Sequence, residues 1–471
     1  MIEQAKYIFL LGIKGVAMTN LAFILKKMGK DVSGVDIEEE FITDEWLKKE
    51  KIPYSIGFDL KNLPTETDLV VYSAAHGGSA NPILQEAKKR KIKTVDQATL
   101  LAELISQFKT KIAVCGSHGK TTTTAFLAYA LIELGAEPSY LVGSSEFNHM
   151  QAGDFRGRDY FVLEADEYAV DPPKNNTPKF QYLSPDLILC TNIDFDHPDV
   201  FQDLEQVKEE FAKFFQKGKK IIACIDDPVL AGVISSLPKE TVLTYGESQN
   251  ADVQLLTIQP NEFGMQFEIQ KKEEPLGVFQ IELYGEKNAL NAGAVITTLL
   301  ELGFQEDNIR KAVRGFTGAK RRLEKKAFVN DIYLFDDYAH HPVEIGSSIE
   351  ALRKRFPGKR VILIFQSHTY SRTKALLPEF AEALALADYT IIAPIFPSAR
   401  ENPSEFQVSS QDIADEARRK GASTVEALET RQEILKKLAT MIQQGDVVCT
   451  MGAGDIYHLA DDIISLLEKA K

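Results

Sequence analysis

The densest chemistry in the chain lies in Gly116-Ser117-His118-Gly119-Lys120-Thr121-Thr122, which follows an apolar run at 111–115 and opens a segment of helical character. A glycine-rich turn between a strand and a helix lets backbone N–H groups converge on an anion. The helix N-terminus adds a favourable dipole, and a lysine adds a point charge. Lys120 fills that role here, and Thr121 is placed to offer a hydroxyl to Mg²⁺. Gly116 stands four residues before Lys120, whereas the common phosphate loop has its first glycine about six before. Two acidic groups follow downstream: Glu164-Ala165-Asp166-Glu167 after a strand-like stretch at 160–163, and Asp194-Phe195-Asp196-His197 after another at 186–190. Carboxylates at the C-terminal ends of strands lie where α/β sheets bind ligands. Beside a phosphate loop they suit hard cations.

Such groups need a frame, and the apolar periodicity predicts one. Strands at 7–11, 31–36 and 69–73 alternate with helical spacing at 17–28, where Gly29 can cap, and from about Pro82. This is a parallel βαβ pattern. The segment 97–108 reads as a bridge to a second block, with strands at 111–115, 160–163, 186–190 and 220–224, hairpin-like alternation over 252–283 and a helix over 288–302. A third block begins near Ala327, with strands at 333–335, 360–365, 389–393 and 446–449. The chain is therefore expected to be α/β with three domains, 1–108, 109–325 and 326–471. In the first, the loop Gly12-Ile13-Lys14-Gly15-Val16-Ala17, with Asp36 ending the next strand, invites a dinucleotide reading. Lys14 stands where that fingerprint needs a second glycine.

Bulk composition narrows the classes. With 471 residues, 44% hydrophobic and 26% charged, the chain suits two or three folded domains. A formal charge of −14 argues against sequence-independent nucleic-acid binding. No apolar run reaches membrane-spanning length and the N-terminus lacks a signal-peptide layout, so a cytoplasmic protein without a membrane partner is expected. Cys115, Cys190, Cys224 and Cys449 form no CxxC pair and read as buried thiols in a reducing compartment.

Taken as a set, Gly116 to Thr122, Glu164 to Glu167, Thr191-Asn192-Ile193 with Asp196-His197, and Asp336-Asp337-Tyr338-Ala339-His340-His341-Pro342 resemble the Mur ligase family, whose members build the peptide stem of peptidoglycan. The motifs fall in family order, and the likeness covers almost the whole chain. It implies a Rossmann-like N-terminal domain for the uridine nucleotide and a central, mostly parallel P-loop-like domain for ATP and Mg²⁺. A C-terminal Rossmann-like domain would bring the amino acid. The reaction implied is phosphorylation of the sugar's carboxylate to an acyl phosphate, then attack by an amine. Val71 to Ala75 with Asn81-Pro82, and Phe365 to Thr373, are similar to the branch that joins L-alanine to UDP-N-acetylmuramate. Glu164 and His197 lie 33 positions apart, and Tyr168 with 177–180 is similar to the branch attaching L-Ala-γ-D-Glu-meso-diaminopimelate to the same sugar nucleotide. The likeness is greatest to the alanine-adding branch, so L-alanine is the expected amine, with that short peptide as the alternative, and a monomer or weak homodimer is expected.

The same resemblance assigns roles. Gly116, Ser117, His118, Gly119, Lys120, Thr121 and Thr122 would cradle the ATP phosphates, while Thr121, Glu164 and His197 would hold Mg²⁺. Asn288 and Asn291 would lie at the adenine, although asparagine there could equally cap the helix. Arg321 or Arg322 would reach the γ-phosphate, and Asp337 would touch the nucleotide on closure. Tyr338, His340 and Arg372 would receive the amine substrate, with His341-Pro342 shaping the turn. Gly12, Gly15, Asp36 and Ser73 mark the uridine-nucleotide side. Lys120, Glu164, His197, Arg322 and His340 are the catalytic candidates.

Overall fold

The computed structural model describes residues 1–197, 200–397, 401 and 403–469. Three large sheets carry the chain, beside a two-stranded hairpin of Ala169–Asp171 and Asn175–Pro178. The first has five parallel strands in the order Tyr54–Ile56, Asp31–Asp36, Tyr7–Leu11, Leu69–Tyr72, Lys93–Asp96. Its central strand is apolar on both faces: Ile8 and Leu10 join one buried cluster, Phe9 and Leu11 another. That is the pattern of a parallel sheet covered on both sides.

The central sheet has ten strands, parallel in its middle, with an antiparallel hairpin (Ser139–Phe147, Met150–Asp154) at one edge and the antiparallel run Val253–Pro260, Met265–Lys271, Glu274–Ile281 at the other. At its centre the strand Thr110–Cys115 lies between Leu187–Cys190 and Tyr160–Glu164, in parallel register with Cys115 opposite Cys190 and Val114 opposite Glu164. The three strands therefore end level. The phosphate loop, Glu164 and the segment from Thr191 emerge side by side, as the carboxyl-end rule for α/β sheets requires.

The C-terminal sheet runs Glu324–Val329, Ile332–Asp337, Val447–Met451, Val361–His368, Tyr389–Phe396, Val425–Ala427 and is parallel except for its first strand. That strand takes in Glu324 and Lys325, just before the position where the third block was expected to begin. The first domain docks on the second through the helix Val16–Lys27. Asn20 Nδ2 donates to the carbonyls of Val142 and Ser144, both at 2.8 Å, and Gly153 leaves room for the Asn20 backbone.

Several elements depart from the periodicity reading. The stretch 97–108 is no mere bridge: Gln97–Ile105 is a helix whose N-cap, Asp96, accepts from the Thr99 N–H at 2.8 Å. Asp186 precedes its strand, and its carboxylate accepts the Lys111 N–H at 2.9 Å. The helix placed at 288–302 begins earlier, at Glu286, with Gly285 as N-cap. The four cysteines are free and buried. Among the described residues no helix is long and apolar enough to cross a membrane.

Candidate active site

The phosphate loop is built on two glycines that nothing larger could replace. Gly119 caps the helix Lys120–Glu133 in the left-handed region (φ 83°), and a Cβ there would come 2.9 Å from Asn291 Oδ1. Gly116 has φ 128° and lies against Thr191 and the Asn192 carbonyl. Lys120 Nζ donates to the Gly116 carbonyl at 2.6 Å and to Glu167 Oε1 at 2.7 Å. Burial works against the lysine's charge, but Glu167 and Glu164 outweigh it and hold the ammonium above its ordinary pKa. Thr121 Oγ1 donates to Glu164 Oε1 at 3.1 Å, and Arg322 Nη2 donates to the same hydroxyl at 3.1 Å. Glu164 also accepts the Gly143 N–H at 2.8 Å; burial raises its pKa.

The groups expected to share one metal fall into two adjoining sets. Thr121 and Glu164 form the first. His197 belongs to the second: its Nε2 is 3.6 Å from Glu167 Oε1 and 3.7 Å from Asp196 Oδ2. Lys120 stands between them, bonded to Glu167 and under the field of Glu164. Glu167 Oε2 is buried with no hydrogen-bond partner among the described residues. A buried carboxylate oxygen without a donor is costly, and with a threonine hydroxyl and a second glutamate nearby it makes a donor set that fits Mg²⁺.

The two adjacent arginines divide sharply. Arg321 is buried, and its guanidinium is taken up by Asp336 (2.9 Å) and the carbonyls of Gly452 (2.6 Å) and Gly454 (3.3 Å). Those donors are engaged inside the C-terminal domain, so the expectation of Arg321 at the nucleotide is corrected. Arg322 is the one that faces the phosphate loop. Arg372, expected at an amino acid's carboxylate, is buried and grips Asp196 Oδ1 at 2.7 and 3.0 Å, which ties the C-terminal domain to the loop after Leu187–Cys190.

Asp337 ends its strand in a buried position, with Ser348 Oγ donating to it at 2.5 Å; burial pushes its pKa up to about 6. His340 Nδ1 donates to the Tyr338 carbonyl at 3.0 Å. That leaves Nε2 as the acceptor nitrogen. Burial, aided by Arg372, lowers the His340 pKa to about 4, so the ring is neutral near pH 7. The Tyr338 ring lies 5.2 Å from both the Arg321 and Arg322 guanidinium carbons. His341 caps the helix Pro342–Arg355 by accepting the Val343 N–H at 3.4 Å, the turn-shaping role. His118 is held between Asp194 Oδ2 (3.4 Å) and Glu344 Oε1 (3.3 Å). Burial opposes its charge, but the two carboxylates prevail and raise its pKa to about 9.

Asn291 Nδ2 donates to Asn288 Oδ1 at 3.2 Å, and Asn288 Nδ2 to the Tyr284 carbonyl at 2.8 Å. Gly285 holds the N-cap position, so neither asparagine is the cap. Asn288, Asn291, His118, Gly119, Arg322 and Asp337 help line a cavity of about 330 Å³ between the central and C-terminal domains.

In the first domain, Gly12 has φ 75°, and a Cβ on it would lie 3.3 Å from His76 Cδ2 and 3.8 Å from Ser73 Oγ. Gly15 caps the helix Val16–Lys27. Asp36 is turned into the protein at this turn. It is fully buried and accepts from the N–H groups of Lys14 (2.7 Å) and Ile37 (2.8 Å), with His76 Nε2 3.2 Å away. The Lys14 side chain is also turned inward, to Asp44 at 3.2 Å and the Glu39 carbonyl. Asp36 therefore shapes the loop, and His76 is the residue that meets Gly12. His76 and Glu344 were not expected at the site, and Asp194 was named only as the first residue of an acidic motif. Glu167 and Asp196 lay inside the acidic motifs without being singled out.

Family models match most of the chain: Mur ligase family, catalytic domain, over residues 8–109; Mur ligase middle domain, over 114–299; and Mur ligase, glutamate ligase domain, over 321–454. The UDP-N-acetylmuramate–L-alanine ligase of Desulfitobacterium hafniense (strain Y51) is 35% identical over 463 residues, covering 97% of this chain and 99% of that protein. Among solved structures, the UDP-N-acetylmuramate-alanine ligase of Thermotoga maritima is 24% identical, covers 99% of this chain and 100% of its own, and superposes with a TM-score of 0.83. A murein peptide ligase from Psychrobacter arcticus 273-4 is 23% identical over 98% of both chains, with a TM-score of 0.74.

Proposed function

Because this chain belongs to the Mur ligase family, we propose that it uses ATP to join L-alanine to the carboxylate of UDP-N-acetylmuramate, a step of peptidoglycan precursor synthesis. The observation that carries the reading is the meeting, around one interdomain cavity, of a phosphate loop with Arg322, Asp337 and the helix of Asn288 and Asn291. The full-length likeness to alanine-adding ligases supports the choice of amine.

In this scheme the triphosphate lies over residues 116–121, with Lys120 and Arg322 supplying positive charge where negative charge builds on the transferring phosphoryl group. Thr121 and Glu164 would hold Mg²⁺ at one position, and Glu167 with His197 could hold it at an adjoining one; bound there, it would supply charge neutralisation between anions that must meet. A carboxylate oxygen of the sugar attacks the γ-phosphorus and ADP departs, leaving an acyl phosphate. The L-alanine nitrogen then attacks the acyl carbon. Its proton passes to His340 Nε2, which is unprotonated near neutral pH. The tetrahedral intermediate collapses by expelling phosphate. The C-terminal domain, resting on the phosphate loop, excludes the water that would hydrolyse the acyl phosphate.

One feature favours a second reading of the amine. The hairpin Ala169–Asp171 with Asn175–Pro178 lies in the stretch between Glu164 and His197 that is similar to the tripeptide-adding branch. Phosphate release and product mass, measured with L-alanine and with L-Ala-γ-D-Glu-meso-diaminopimelate side by side, separate the two. Turnover with L-alanine is expected. Turnover with the tripeptide alone would reassign the amine, and release with neither would sink the ligase reading.

A further inference from the structure

Glu344 stands four residues after His340, in the first turn of the helix Pro342–Arg355, and its carboxylate is nearly enclosed, with a side-chain exposure of 13%. Its two oxygens face different parts of the chain. Oε1 meets His118 Nδ1 of the phosphate loop at 3.3 Å and Arg322 Nη1 at 3.9 Å. Oε2 accepts the His340 backbone N–H at 3.1 Å and lies 3.5 Å from His340 Nδ1. His118 is held from its other side by Asp194, through Nε2 at 3.4 Å, and its own N–H donates to Asn192 Oδ1 at 2.8 Å. A phosphate-loop imidazole thus stands in ion-pair contact with one carboxylate of its own domain and one of the facing domain.

A buried carboxylate must be paired, and the geometry of its partners then sets where it rests. We propose that Glu344 is a positioning residue that couples the phosphate loop to the amine-side segment, holding the His340 backbone through one oxygen and the loop's His118 through the other. Movement of the loop as it closes on phosphates is carried through His118 to Glu344 and on to the turn at His340. Arg322, which also reaches Thr121 at 3.1 Å, closes the same circuit. Removing the Glu344 charge leaves the loop's backbone N–H groups in place, takes one negative charge from the wall of the nucleotide cavity, and releases the turn that presents the amine-side imidazole. Nucleotide affinity and amine capture should therefore separate.

The inference rests on the ligase reading, so its test includes a readout that needs no turnover. Glu344→Gln, His118→Asn and the double variant are compared with the unaltered protein. Affinity for a non-hydrolysable ATP analogue with Mg²⁺ is measured by calorimetry, and kcat and KM for the amine by phosphate release. Glu344→Gln is expected to keep analogue affinity within about threefold while kcat/KM for the amine falls at least about tenfold. The double variant should be no more than about threefold worse than the poorer single one, because both act on one contact. Glu344→Asp should recover part of the loss, since a shorter carboxylate still offers both oxygens. Losses that multiply in the double variant, or a fall in analogue affinity as large as the fall in turnover, would overturn the coupling. Absence of turnover in the unaltered protein would count against the ligase reading alone, since the analogue titrations would still report on the loop.

Discussion

Arg321 and Arg322 are neighbours in sequence with opposite surroundings, and exchanging each for methionine should give opposite phenotypes. Arg321 is 6% exposed and Asp336 1%. The guanidinium makes three hydrogen bonds there and lies 4.5 Å from the Tyr457 ring. Without it, among the described residues Asp336 keeps the Thr450 hydroxyl at 2.7 Å as its side-chain donor, and two carbonyls lose the guanidinium. Breaking one side of a buried ion pair costs about 3–5 kcal/mol, which lowers the unfolding midpoint of a domain this size by roughly 10 °C. Arg322 has a side-chain exposure of 23% and hydrogen-bonds to the Thr121 hydroxyl, so Arg322→Met should cost under about 1 kcal/mol. Its loss falls on turnover, by about two to three orders of magnitude, the range for one electrostatic stabiliser. Thermal unfolding and steady-state phosphate release on both variants decide the matter. A stable, inactive Arg321→Met beside an active Arg322→Met would refute the assignment.

Gly119→Ala places a Cβ about 2.9 Å from Asn291 Oδ1 at a left-handed φ of 83°; a fall of at least about tenfold in ATP-analogue affinity is expected, and unchanged binding would contradict the loop geometry. Glu164→Gln should raise the Mg²⁺ concentration for half-maximal activity by about tenfold or more, whereas an unaltered Mg²⁺ titration would remove Glu164 from the metal set. The folded-state pKa of His118, about 9, lies above its unfolded value of 6.5, so the folded chain binds the extra proton. That stability, at most roughly 3 kcal/mol, is complete below pH 6.5 and is lost as pH rises through about 9. Denaturant unfolding from pH 6 to 9.5 should show the decline, and His118→Asn should flatten it; an equal slope in both would place the proton elsewhere.

The central site was legible because its signals are local. A strand followed by Gly116 to Thr122 is one continuous string, and Glu164 and His197 each follow an apolar run that names its strand. What the residues alone could not supply was the far side of each contact. Whether Arg321 or Arg322 faces the phosphates depends on the path of the chain between Gly318 and Glu324, where Arg321 and Leu323 both take positive φ. Glu344 looks like any helix-surface acid until Pro342–Arg355 is laid against the phosphate loop. Asp36 matched a nucleotide-binding pattern at the end of its strand, but Lys14 had turned that position inward. The strands Tyr54–Ile56 and Lys93–Asp96 escaped notice because one has only three residues and the other a single apolar residue, Val95, so each is supported by the neighbouring strand rather than by its own periodicity.

The chemistry itself is open to a single isotope experiment. UDP-N-acetylmuramate labelled with ¹⁸O in its carboxylate is incubated with ATP, Mg²⁺ and L-alanine, and the released phosphate is analysed by mass. Transfer through an acyl phosphate predicts one labelled oxygen in each phosphate formed. Product amide accompanied by unlabelled phosphate would contradict it.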